Sequence, residues 1–350
     1  MIKYRLATNK DNQQLIELTA VSGMVGETAL RIDRKPDFFK LLNMRGDTKV
    51  FIALDNETLI GSLCVSLQNV YVGGQIVPLH YIGDFKVAEA YRNKGIGLQL
   101  CNQMADYLTS IDADLAFLNF SKGNGRPVSF FKNRPHVPDF DNIGVFNIHQ
   151  FIGKKKKAFH SMYKIELSPV TDEVLKFLNS HYRKYELGSV VTKEKLEDTT
   201  VFIIQHENKI LAAMCLVDTM KVKQNVVMKL SWKNKLLLFL VNMFAGVSGI
   251  SKMPTLHAPV QMMYIKYLAM DSHDKQLVKF LIDHARNVVY EKLYSFVSIG
   301  LHEKDPLHAC LSNLFKLTFN SIGMLVSIKG NRELIEKVKQ GIPFEDYSLV

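Results

Sequence analysis

Residues 79–108 read LHYIGDFKVAEAYRNKGIGLQLCNQMADYL, and the change of rhythm inside them decides the fold. From 79 to 87 the chain alternates with period two. Leu79, Tyr81, Gly83, Phe85 and Val87 share one face and His80, Ile82, Asp84 and Lys86 the other, the pattern of a strand. From Ile96 the spacing lengthens to Leu100, Met104 and Leu108, with Cys101 and Ala105 beside them, which predicts an amphipathic helix. Between the two lies YRNKGIG, residues 91–97. Glycines let the backbone pass close to a phosphate, and the first-turn amides of a helix, which have no helical acceptor, can point at its oxygens. Arg92 and Lys94 add positive charge.

Three phosphate-binding patterns compete for this stretch. An ATP-type loop needs G-x-x-x-x-G-K followed by Ser or Thr, but here Lys94 precedes Gly95 and Leu98 stands where magnesium would want a hydroxyl. A dinucleotide fingerprint needs three glycines, and only Gly95 and Gly97 are present. What remains is R-x-x-G-x-G, formed by Arg92, Gly95 and Gly97, spanning a strand end and a helix start.

At 350 residues the chain exceeds what one core usually organises, which favours two domains. Its formal charge of +10 suits nucleic acid, a membrane surface or an anionic cofactor. No helix gathers Arg and Lys beside stacking aromatics, so no nucleic-acid partner is expected. The run GKKKKAF at 153–159 reads as a solvated loop or strand end. Cys64, Cys101, Cys215 and Cys310 form no C-x-x-C pair, and the eleven histidines form no H-x-x-x-H, so neither a metal site nor a disulfide framework is expected. A reducing cytoplasm fits best, and MIKYRLATNKDNQQ at the N-terminus has no signal-peptide pattern. The run KLLLFLVNMFAGVSGI, 235–250, is shorter than the about twenty residues of a spanning helix. A core helix, or one packed between domains, is expected there ahead of an interfacial helix in contact with a membrane.

Elements alternate in the first half: a strand at 2–7, a helix capped by Asp11, a short helix at 36–44 and a hairpin around Asp55–Glu57. The strand, loop and helix of 79–108 follow. ADLAFLNF (113–120) is a strand, RPVSFFKNR (126–134) a short helix, and 144–152 and 159–167 are strands. The second half repeats this order loosely. A helix at 171–184 precedes a hairpin around Asn208, an insertion at 221–260, a strand at 262–270, a helix at 274–291, a strand at 294–301, a short helix opened by Pro306, and a strand pair or bent strand at 316–329. Two copies of one mixed fold, parted near Ser168-Pro169, is the economical reading.

FKVAEAYRNKGIGLQLCNQMADYL, 85–108, resembles the acetyl-CoA-binding motif of the GNAT N-acetyltransferase superfamily, and residues 1 to about 167 follow the family's order of elements. The resemblance implies a mixed α/β fold of two GNAT-like domains, 1–167 and 168–350, each a mostly antiparallel mixed sheet flanked by helices. It implies that backbone groups of Phe85 and Val87 meet the pantetheine arm and the acetyl carbonyl. The amides of Arg92, Asn93, Lys94, Gly95, Ile96 and Gly97 would hold the pyrophosphate. Asn124, seven residues before Phe131 in NGRPVSFF, would contact the pantetheine arm. The second half resembles the family only in order. After YIKYLAM it runs DSHDKQLVKFL, with neither glycine nor arginine, and is expected to be a degenerate copy that completes the acceptor pocket at the junction.

Amide formation needs a neutral amine, a polarised thioester carbonyl and a proton for the leaving thiolate. Many relatives carry Glu or His where this chain has Gly83 and Tyr81, and a tyrosine where it has Phe131. The candidates are therefore Asp84, turned inward by a strand irregularity, and Tyr81, relaying a proton through water. The expected function is transfer of acetyl from acetyl-CoA to an amine held between the domains, without a covalent intermediate. Two alternatives stand beside it: a CoA-responsive binding protein without catalysis, and an acyltransferase for a long-chain or lipid-like substrate.

Overall fold

The computed structural model describes residues 1–21, 29–123, 130, 139–155, 163–229, 231–272 and 274–350. Asn124 and Phe131, most of the expected helix at 126–134 and the second half of GKKKKAF lie outside these.

The chain forms the expected mixed α/β fold. Its first half contributes β1 (Ile2–Leu6), α1 (Asn12–Val21), β2 (Ala29–Asp33), α2 (Phe38–Arg45), β3 (Asp47–Asp55), β4 (Thr58–Val72), β5 (Gln75–Val87), α3 (Ile96–Ser110), β6 (Leu115–Ser121) and β7 (Asp141–Ile152). The second contributes β8 (Ile165–Ser168), α4 (Asp172–Tyr182), β9 (Gly188–Ser189), β10 (Thr199–His206), β11 (Lys209–Val217), β12 (Gln224–Lys229), α5 (Trp232–Ser248) and β13 (Met262–Met270). After these come α6 (Lys275–Glu291), β14 (Phe296–His302), α7 (Leu307–Leu311), β15 (Leu317–Ser327) and α8 (Arg332–Gln340). Asp11 does not cap α1. Its carboxylate accepts from the Thr8 amide at 2.7 Å and pairs with Arg5 at 2.8 Å.

One sheet runs through both halves in the order β1-β3-β4-β5-β6-β15-β7-β14-β13-β11-β10-β8, with β9 on β4. Its two parallel pairs are β5 with β6 and β13 with β14, and each is joined by one of the long helices, α3 or α6. Parallel neighbours require such a crossover, and the sheet contains it twice. β15, the last strand of the chain, lies antiparallel between β6 and β7 of the first half, and β7 pairs in turn with β14 of the second. Each half thus supplies a strand that completes the other. β15 is one continuous strand, bent at a register shift between Gly323 and Met324.

Packing follows the periodicity. Leu100, Cys101, Met104 and Leu108 of α3 are buried against Phe51, Leu63 and Ala116, while Leu277, Leu281, Ile282 and Ala285 of α6 are buried against Met214, Ile265 and Val297. A third cluster joins the halves. In it Phe146 of β7, fully buried, meets Phe117 at 6.3 Å and Tyr347 at 5.9 Å between ring centroids. Four elements were not expected from the sequence: β2, the two-residue β9, β12 inside the insertion, and α8. β2 and β12 pair only with each other, in a two-stranded sheet that links the two halves.

Because Phe146 is shared by strands of both halves, Phe146→Ala is expected to lower unfolding free energy by about 3–5 kcal/mol, the usual cost of such a cavity. Urea unfolding followed by far-UV circular dichroism and by tyrosine fluorescence should remain one coincident transition. Two separated transitions would show that the halves do not fold together.

Candidate active site

β5 and β6 pair only over Leu79–Tyr81 and Leu115–Phe117. Beyond that point β5 departs, leaving the edge of Ile82–Lys86 open on that side, while β15 pairs along the whole opposite edge of β6. The departure coincides with an irregularity between β4 and β5. Gly83 is opposite Cys64 and Lys86 opposite Ser62, so Asp84 and Phe85 together face Leu63. This extra residue is a β-bulge, which bends a strand and re-aims its side chains. Asp84 takes φ +46°, a left-handed conformation that Asp tolerates better than most residues. The Ser62 hydroxyl donates to the Asp84 carbonyl at 3.0 Å and holds the bulge.

The bulge turns Asp84 into the wall of a cavity of about 500 Å³, a volume usual for a small-molecule site. There its carboxylate oxygens accept from Nη2 of buried Arg34 at 2.9 and 3.1 Å. Tyr81, Phe85 and Lys86 line the same cavity. A side chain on Gly83 would start 2.6 Å from Cε1 of Tyr81, so the Tyr81 ring occupies the space of any larger residue at 83. Arg45 lies over that ring, 3.5 Å from its centroid, and pairs with Glu345 at 2.9 Å in a contact with almost no solvent exposure. Burial pushes the Tyr81 phenol well above its ordinary range and draws Lys86 down.

The rest of the wall includes residues of β2, α2, β6, β7, β12, β13, β14, β15, α5 and the C-terminal segment, so both halves build the cavity. Its surface is largely apolar, including Ile82, Leu118, Phe120, Ile148, Phe296 and Leu317. Polar groups are set among these. Nε and Nη1 of Arg34, Nδ2 of Asn119 and the hydroxyl of Ser298 have neither solvent contact nor a hydrogen-bond partner among the described residues. Such groups cost about 1–3 kcal/mol each while unpaired.

At the far end of β5 the chain enters the glycine loop. Arg92, Asn93, Lys94 and Gly95 are exposed, Asn93 and Gly95 have φ +63° and +80°, and the Arg92 Nε donates to the Val87 carbonyl at 3.4 Å. The α3 helix starts at Ile96, with no side chain capping it among the described residues. Its first-turn amides are thus left for an anion, and the helix dipole favours one there. Gly97 is needed for packing: a Cβ would sit 3.0 Å from the Phe85 ring and 3.4 Å from that of Phe130.

The structure therefore brings Tyr81, Asp84 and Phe85 to one cavity, and places Val87 and 92–97 where β5 gives way to α3. Arg34, Arg45 and Glu345 were not found from the sequence. Arg34 and Arg45 stand 47 and 36 positions before Tyr81 in the chain and Glu345 264 after it, in stretches without a motif. In the second half the equivalent divergence, beyond Tyr264 and Ser298, is filled. Phe344, Glu345 and Tyr347 enter it, and a Cβ on Gly300 would fall 2.1 Å from the Tyr347 ring.

Residues 3–122 match the model of the acetyltransferase (GNAT) domain. Over nearly its whole length the chain is similar in fold to Saccharomyces cerevisiae N-myristoyltransferase with bound myristoyl-CoA. The two are 11% identical with a TM-score of 0.62, over 93% of this chain and 82% of that one. A GCN5-related N-acetyltransferase from Anabaena variabilis shows 12% identity and a TM-score of 0.52, over 94% of this chain and 73% of that one. A probable N-acyltransferase from Enterococcus faecalis gives the same four values. No curated protein sequence matches the chain.

Lys223 lies behind the cavity, fully buried, its Nζ donating to the carbonyls of Val350 at 2.7 Å and Tyr347 at 3.2 Å. Burial, helped by Arg34, pushes its ammonium down to about 7, against about 10.4 for an unfolded lysine. Between those values the unfolded chain binds the extra proton, so this contribution to stability is complete above about 10.4 and is lost as pH falls through about 7. Lys223→Met should flatten unfolding free energy against pH between about 7 and 9, by up to about 1.4 kcal/mol per unit. Urea curves across that range check it; a slope unchanged by the substitution would contradict the assignment.

Proposed function

We propose that the protein is an acyl-CoA-dependent N-acyltransferase that binds CoA on the loop at 92–97 and transfers its acyl group to an amine held in the cavity between the two halves. The observation that carries this reading is the uncapped start of α3 beside a strand divergence that opens into that cavity. In it the amides from Arg92 to Gly97 take the pyrophosphate, backbone groups of Phe85 and Val87 take the pantetheine arm and the acyl carbonyl, and Asn124 adds a contact to the arm. Residues 1–167 act as the CoA-binding unit and 168–350 as a degenerate copy, whose own cleft is occupied by Phe344, Glu345 and Tyr347.

The amine nitrogen attacks the thioester carbon; the C–N bond forms, the C–S bond breaks and CoA departs as thiolate. The amine must lose a proton and the thiolate must gain one. Asp84, held by Arg34, is the proposed acceptor of the amine proton, directly or through water. Tyr81, kept protonated by burial, serves as a hydrogen-bond donor in the proposed relay.

Between acetyl and a longer chain, the cavity favours the longer. Acetyl would leave the apolar wall of Ile82, Leu118, Phe120 and Phe296 uncovered, whereas each buried methylene contributes about 0.8 kcal/mol, roughly fourfold in affinity. Calorimetric titration with acyl-CoAs from acetyl to myristoyl should show affinity rising with chain length. In Gly95→Glu, whose side chain would strain φ +80° and place a carboxylate at the phosphate cradle, binding should be lost. Equal affinity for acetyl-CoA and longer chains would overturn the chain-length reading, and binding unaffected by Gly95→Glu would overturn the loop assignment.

With a panel of amines and the preferred acyl-CoA, Asp84→Asn should reduce kcat by about 10²-fold or more while leaving the acyl-CoA Kd within about twofold. Tight acyl-CoA binding with no acylation of any amine would favour the CoA-responsive, non-catalytic alternative.

A further inference from the structure

Helix α5 carries its apolar residues on the wrong side for a core helix. Leu238, Val241 and Ala245 face the protein, packed with Met253, Val260 and Met262 or buried outright, and Leu238 also lines the cavity. The polar Asn242 faces inward too, its side chain accepting from the Met253 amide at 2.6 Å. Outward stand Trp232, Leu236, Phe239, Leu240, Met243, Phe244 and Val247, with Trp232 70% and Val247 94% exposed. At about 100° per residue these seven fall within about 140° of arc, one continuous face. The expected core helix is therefore buried along one side only.

Charge says what that face meets. From Thr219 to Met270 the sequence holds seven lysines and no carboxylate. Two of the seven, Lys223 and Lys266, are buried. Exposed Lys229 and Lys235 stand at the start of α5; exposed Lys252 follows its end, where exposed Lys155 is tied to Gly249 by a backbone hydrogen bond of 2.8 Å. An apolar helical face with lysines at both ends, in a stretch of sequence without a carboxylate, complements a bilayer with anionic headgroups. No helix among the described residues is long and apolar enough to cross a membrane, so α5 would lie in the surface.

We propose that α5 is an interfacial helix that docks the protein on an anionic lipid bilayer, its seven-residue apolar face inserted at the headgroup level and its flanking lysines on the lipid charge. Since Leu238 and Pro254 form part of the cavity wall, docking places the acyl-transfer site against the lipid, and an amine or acyl chain of lipid origin reaches it without crossing water. The docking itself does not depend on the acyltransferase reading.

Trp232 is the chain's one tryptophan and sits on this face, so its fluorescence reports directly. The full chain, with no acyl-CoA added, is mixed with phosphatidylglycerol–phosphatidylcholine vesicles or with phosphatidylcholine vesicles alone, and fluorescence and co-sedimentation are read. The expected result is a blue shift and sedimentation with the anionic vesicles, weaker by about tenfold or more in Lys229→Glu/Lys235→Glu/Lys252→Glu and abolished in Phe239→Ser/Phe244→Ser. All the replaced residues are exposed, and unchanged melting temperatures verify that both variants fold. Equal binding to neutral vesicles, insensitive to the lysine changes, would overturn the proposal. So would absence of vesicle binding together with a dimer, seen by sedimentation velocity, that Phe239→Ser/Phe244→Ser dissolves, since the face would then belong to a second copy. Acyl-CoA titration without vesicles tests the catalytic reading separately.

Discussion

The parting of β5 from β6 beyond Tyr81 and Phe117 is the constraint on which the rest depends. A parallel pair that stayed closed would leave no room between the strands, whereas the parting leaves β6 held through its opposite edge, where β15 pairs with it from Ser121 to Leu115 along its whole length. The strand that holds β6 while β5 departs therefore comes from the end of the chain. Pairing of this kind costs loop-closure entropy over some two hundred residues, but that cost grows only with the logarithm of the length.

The same long-range economy fixes the cavity floor. Arg45 closes α2, Glu345 lies close to the end of the chain, and their buried pair brings the two together beneath Tyr81. Arg45 also donates to the Leu349 carbonyl at 3.0 Å, and Lys223 to those of Tyr347 and Val350. Burying so many cations is unfavourable unless each is hydrogen-bonded, and here each binds backbone carbonyls or a carboxylate. The segment 344–350 is thereby pinned between the two halves. It fills the cleft of the second while lining the cavity of the first.

What the sequence made legible was local. The period-two run before Val87, the glycines and the helical spacing after Ile96 each depend on neighbours within about a dozen residues, and they identified the strand, the loop and α3. The irregularity expected at Asp84 is present as a bulge, although the Arg34 that engages it could not be anticipated from a position fifty residues earlier. The exchange of β7 and β15 was not legible either, because strand pairing over that distance leaves no periodic mark in either strand. In α5 the composition was informative and the periodicity was not. Apolar residues all around a helix do not say which side is covered, and only the packing of Leu238, Val241 and Ala245 separates the two faces.

Gly83 and Tyr81 are best understood together. In a strand they share a face, and the Tyr81 ring lies where the first atom of a larger residue at 83 would be. A carboxylate on that face would have to displace a ring held under Arg45, so changing Gly83 alone does not make room for one. The bulge offers a different solution, since the extra residue turns Asp84 from the opposite face of the strand into the cavity. Arg34 then neutralises it there, and Ser62 holds the backbone that aims it. The missing side chain at 83 and the left-handed conformation of Asp84 beside it thus belong to one stretch of β5, packed around Tyr81.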